Sequence, residues 1–79
     1  MINYYASGSP YWSYLKEAMC GEVSNRIEGI GDYELALKYN PNIFSFTQED
    51  VMKCTDINDL PDDWRKLADA CIEKYNIRP

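Results

Sequence analysis

The sequence predicts a small all-α domain, a compact irregular arrangement of four helices in which two longer ones flank two short ones. Three observations carry this. Apolar residues recur at spacings of three and four with no sustained alternation of period two. Helix start and stop signals bracket four separate segments. And 79 residues can build only one small core, with about 5,000 Å² of surface left after folding. An apolar fraction of 46%, of which aromatic residues make up 14% of the chain, is enough to attempt such a core without metal or disulfide support.

Residues 1 to 8 hold Tyr4, Tyr5 and the small run Ala6-Ser7-Gly8, which suits an arm, possible as an extended segment, more than a helix. Ser9-Pro10 opens the first helix, over about 10–28. Serine accepts a bond from a free amide at the N-cap, and proline lacks the amide hydrogen that would be unsatisfied at the first position. Trp12, Leu15, Met19, Val23, Ile27 and Ile30 then trace one apolar stripe, and Gly29 and Gly31 form the stop. Asp32 is the expected cap of a second helix over 33–39, with Leu35, Ala36 and Tyr39 turned inward, and Asn40-Pro41 ends it because proline disfavours α geometry in the residue before it. Ile43 to Phe46 alternates like a short strand but has no evident partner except the arm. Thr47-Gln48-Glu49-Asp50 has capping-box spacing and opens a third helix, 48–54. Asp59-Leu60-Pro61 precedes the clearest helix, 61–75, where Trp64, Leu67, Ala68, Cys71, Ile72 and Tyr75 share one face and Asp62, Lys66, Asp69 and Glu73 the other.

Composition narrows the function. There is no histidine, so no imidazole pH switch and no usual base for a serine or cysteine nucleophile. Thirteen acidic against eight basic residues give a net charge of −5, and the basic residues form no cluster, which argues against nucleic acid and against an anionic membrane surface. No stretch approaches the roughly 20 apolar residues that span a bilayer, and the first residues lack the pattern of a secretory signal. A cytoplasmic protein is the expectation, in the host cytoplasm if it is phage-encoded. Cys20, Cys54 and Cys71 match no zinc or redox spacing and read as small core residues.

Motifs for chemistry fail on inspection. Asp56-Ile57-Asn58-Asp59 starts like a calcium loop, but Pro61 stands where the turn needs glycine and Leu67 where a bidentate glutamate belongs. A helix-turn-helix reading of residues 47–75 would lead with Asp62 and Asp63 toward phosphates. Glu49-Asp50 and Asp62-Asp63 are carboxylate pairs that 13 acids produce by chance. The expectation is therefore no enzyme, no cofactor and no metal site.

Two surface features remain. Residues 49–63 carry Glu49, Asp50, Asp56, Asp59, Asp62 and Asp63 against Lys53 alone, so the whole net charge of −5 sits there. Acids near helix starts also complement the helix dipole, so this clustering has a structural explanation as well. Near the N-terminus, Tyr4, Tyr5, Tyr11, Trp12 and Tyr14 crowd five rings into eleven residues among serine and glycine, a composition favoured in protein-binding loops. Tyr11, Trp12 and Tyr14 point in different directions on a helix, so some must be exposed or covered by the arm. The reading that follows is a small acidic module whose partner is another protein, an inhibitor or regulator contacting it through Tyr4, Tyr5, Tyr11, Tyr14 and the six acids. Its narrower form is an antagonist of phage or mobile-element type, anti-CRISPR or anti-restriction, that offers carboxylates to a basic nucleic-acid-binding surface. The alternatives are a homo-oligomeric structural protein and, third, an enzyme using carboxylates or a metal.

Overall fold

The computed structural model describes residues 3–79; Met1 and Ile2, the first two residues of the expected arm, lie outside the described residues. Helices α1 (Pro10–Glu28), α2 (Glu34–Tyr39), α3 (Gln48–Lys53) and α4 (Asp62–Tyr75) follow in order, with a 3-10 turn over Ile57–Asp59 between the last two. The all-α class and the two-long, two-short pattern hold among the described residues. The surface area of 4,910 Å² matches the value expected for a chain of this length.

Most helix ends follow their local signals. The Ser9 hydroxyl accepts from the Tyr11 amide, and Gly29 closes α1 at φ 70°, a left-handed conformation that glycine adopts without a Cβ clash. Thr47 and Asp50 make both bonds of the capping box, at 3.2 and 3.0 Å. Helix α2 is the exception. Its cap is Tyr33, not Asp32, and Tyr33 contributes no side-chain bond. Helix α4 likewise begins after Pro61, which caps it without a side-chain bond.

The core is built on α1 and α4. Trp12, Leu15, Met19 and Val23 of α1 meet Trp64, Leu67, Ala68 and Cys71 of α4, with Ala36, Val51, Ile57, Leu60 and Ile77 closing the sides. Both indoles are buried and both satisfy their N–H, Trp12 on the Cys54 carbonyl at 3.1 Å and Trp64 on the Phe46 carbonyl at 3.0 Å. The α1 stripe stops at Val23. Ile27 and Ile30, expected in the core, are more than half exposed; at this end of α1 the contact with α2 is made by the polar side chains of Glu22 and Arg26 on another face of the helix.

The arm is extended and folded back. Ala6 forms an isolated antiparallel bridge with Asp56; the Ser7 amide donates to the Thr55 carbonyl (2.7 Å) and the Ile57 amide to the Tyr5 carbonyl (2.9 Å). Its partner is thus the segment before the 3-10 turn rather than residues 43–46. Those residues form a turn in which the Asn42 side chain accepts from the amides of Phe44 and Ser45. This turns Phe44 outward and lets Phe46 pack edge-on to Trp64, with ring centroids 6.3 Å apart.

Truncating Trp64 to alanine is expected to cost about 3–5 kcal/mol, whereas Ile27→Ala should change stability by less than about 0.5 kcal/mol. Urea denaturation of the two variants checks this assignment of the core; equal losses would contradict it.

Candidate functional site

Among the described residues the one buried charged side chain is Glu22. It lies seven residues after Leu15 and three after Met19, so helical geometry turns it to the inside. Its Oε1 accepts from the amides of Leu35 (3.1 Å) and Ala36 (3.3 Å), in the first turn of α2. Its Oε2 accepts from the Tyr75 hydroxyl (2.6 Å) and from Lys74 Nζ (3.4 Å), in the last turn of α4. All four contacts are donors, which suits an ionised carboxylate, an acceptor at both oxygens. Burial, and then the hydrogen bond to Glu22 and its neighbouring charge, push the Tyr75 hydroxyl up to about 12. On Lys74, burial opposes the charge, but Glu22 and Tyr75 together, through charge and hydrogen bonding, outweigh it and hold the ammonium above its ordinary value.

Four residues further along α1, Arg26 grips the other end of α2. Its guanidinium donates to the Ala36 carbonyl (3.2 Å), to the Asn40 side chain (2.8 Å) and to the Pro41 carbonyl (3.5 Å). A carboxylate at the amide end of a helix and a guanidinium at its carbonyl end both complement the helix dipole.

The aromatic residues singled out in the sequence separate into two groups. Tyr5 and Tyr11 are half-buried against the core, and the Tyr5 hydroxyl donates to the Ile77 carbonyl at 3.0 Å. Tyr4 lies edge-on to Tyr11, with centroids 5.8 Å apart, so the arm covers Tyr11 as the crowding required. Tyr14 stays open, with 59% of its surface exposed.

The acidic segment divides as well. Asp50 completes the α3 capping box, Asp56 accepts from the Asn58 amide and the Asn3 side chain, and Asp63 accepts from the amides of Asn42 and Trp64. Asp59 accepts from the Thr55 hydroxyl and Glu49 pairs with Lys53, both at exposed positions, while Asp62, in the first turn of α4, makes no side-chain hydrogen bond or ion pair among the described residues.

A shallow depression of about 420 Å³ lies along α1, walled by Tyr14 and Tyr75, with Glu17, Gly21, Glu22 and Asp32 among its lining. A second of similar volume runs from Arg26 to Phe44, whose ring is 91% exposed. Neither Glu22 nor the depression was singled out in the sequence. The signal for Glu22 was an acid on the apolar face of α1; nothing in the sequence brings Tyr75 beside Tyr14.

The cysteines are free; Cys71 lies in the core, while Cys20 and Cys54 are partly buried against it, and burial pushes the Cys71 thiol up to about 12 and Cys20 to about 11. Among the described residues no cluster of three His, Cys, Asp or Glu side chains is placed to hold a metal, and no helix is long and apolar enough to cross a membrane. Comparison with protein-family models, with curated proteins and with solved structures found no match.

Glu22→Ala leaves two α2 amides without their acceptor and is expected to cost about 2–4 kcal/mol, with Glu22→Gln falling between it and wild type; a wild-type denaturation midpoint for the alanine variant would refute the assignment. Tyr75, raised from an ordinary value near 10, contributes stability that is complete below pH 10 and lost as pH rises toward 12. Lys74 and the buried thiols act in the same direction. Tyr75→Phe should therefore flatten the fall of the urea midpoint between pH 10 and pH 12, and parallel curves for the two proteins would count against this.

Proposed function

We propose that this chain is a non-enzymatic protein-binding module, an inhibitor or regulator that acts by occupying a surface of another protein. The observation that carries the reading is the exposure of large apolar side chains by a domain whose core closes without them. Tyr14, Ile27, Ile30, Leu37 and Phe44 are each more than half exposed, while both tryptophans are buried. Aromatic side chains held by a rigid scaffold are the residues that dominate binding energy at protein interfaces. The Phe44 backbone is held by a turn whose amides are fixed on Asn42, so contact has to order only the ring and not the chain that carries it.

The acidic segment plays the smaller part in this reading. Asp50, Asp56 and Asp63 already accept from backbone amides, which leaves Asp59, Asp62 and the exposed Glu49, paired with Lys53, to steer a basic partner. Mimicry of nucleic-acid phosphates, the narrower form of the proposal, would rest on those three carboxylates.

Affinity capture from a cell lysate, at about 0.1 and about 1 M salt, tests the reading with three proteins: wild type, Phe44→Ala/Tyr14→Ala, and Glu49→Gln/Asp59→Asn/Asp62→Asn. The expected result is a partner kept at high salt, lost with the aromatic variant, and captured more slowly by the acid-neutralised one. Capture unaffected by the aromatic substitutions, or light scattering that shows the exposed rings buried in a dimer of the chain itself, would overturn it.

A further inference from the structure

Tyr14, Glu17, Gly21 and Glu22 fall at helical spacing on one face of α1, and Tyr75 of α4 and Asp32 complete a depression over them. Gly21 lies in the interior of a 19-residue helix, where glycine is a poor helix former, yet a Cβ built there would meet nothing within 4 Å. Packing within the fold therefore gives no reason for glycine. Its effect is to leave a bare backbone floor between two tyrosine rings.

The charged side chains that line this trough are all acidic, and Glu22 alone among them is paired, with Lys74, among the described residues. Its ionisable lining other than tyrosine is Glu17, Glu22 and Asp32. Among the described residues Glu17 and Asp32 form no ion pair, and the chain as a whole carries −5. Within the fold a cation already uses this combination of acid and ring: Lys74 places its ammonium 3.4 Å from Glu22 and 5.3 Å from the centroid of the Tyr75 ring. Tyr14 and the two unpaired carboxylates present the same combination of ring and acid on the open side.

We propose that the trough is the docking site for a cationic side chain, arginine or lysine, of a partner protein, held against the Tyr14 ring and facing Glu17 and Asp32. A guanidinium or ammonium is drawn to a ring face and to carboxylates together, and Gly21 lets its stem lie along the helix. The inference rests on the protein-binding reading above and adds to it the chemistry of the contact.

The test is an amide-shift titration of the ¹⁵N-labelled protein with a short arginine-containing peptide, up to about 10 mM, beside the same peptide carrying glutamate. The expected result is saturable shifts at Gly21, Asn25 and Tyr75 with the arginine peptide only. Gly21→Leu, which fills the trough with a melting temperature at or above that of wild type, should weaken binding about tenfold or more, as should Tyr14→Ala. Shifts confined to residues 49–63, equal response to the glutamate peptide, undiminished binding by both variants, or no response would overturn the proposal. If the trough stays silent while lysate capture of a partner persists, this inference falls alone; loss of capture removes the reading beneath it.

Discussion

One pair of α1 side chains, Glu22 and Arg26, fixes the position of α2, and through Glu22 the end of α4. Helix α2 has six residues, well below the roughly 12–15 at which an isolated helix becomes even marginal in water. It also lacks a side-chain cap of its own. The missing cap comes from Glu22, whose one oxygen serves two α2 amides while the other serves Tyr75 and Lys74. Arg26 then satisfies carbonyls at the opposite end. The short helix is therefore a tertiary structure in origin, and its direction is set by the order of acid and base along α1.

Burying a carboxylate is costly, and an apolar replacement of a buried ion pair is often no less stable. What the charged group adds here is direction. An apolar residue at position 22 would accept α2 in several registers, whereas a carboxylate that must meet two adjacent amides and a hydroxyl admits few. The arm works by a similar logic. Its Tyr5 carbonyl and Ser7 amide engage the backbone around the 3-10 turn, and its Tyr5 hydroxyl reaches Ile77 beyond α4, so the N-terminal and C-terminal segments are tied by polar contacts over an apolar core.

The parts of the fold legible in the sequence are those determined within one turn of chain. Ser9-Pro10, Gly29, Asn40-Pro41 and the Thr47 capping box carry their geometry in adjacent residues, and the boundaries they imply lie within one residue of the observed ones. What escaped depends on distant partners. Periodicity carried the α1 stripe on to Ile27 and Ile30, because spacing records which face a residue occupies and not whether anything covers it. Asp32 was a reasonable cap by local rule, and was displaced by an acid ten residues earlier in the chain. The candidate surfaces divided in the same way. Exposure of some rings and covering of others followed from the spread of Tyr11, Trp12 and Tyr14 around the helix, but which ring stays open is decided by the arm. The proximity of Tyr14 to Tyr75, 61 positions apart, has no local trace.

Fold and candidate surface share a residue, and this limits how they can be separated. Glu22 lines the trough and also holds α2, so its removal would disturb both together. Gly21 and Tyr14 stand apart: neither is part of the buried core, and the space above Gly21 is empty. A marginal domain that kept a bare helix backbone next to its central buried charge has left its rigid part and its open part in direct contact. Glu22 itself is buried beneath that face with both oxygens occupied by four donors, so what it contributes is a fixed floor of helix backbone, held by the interactions that hold the helices together.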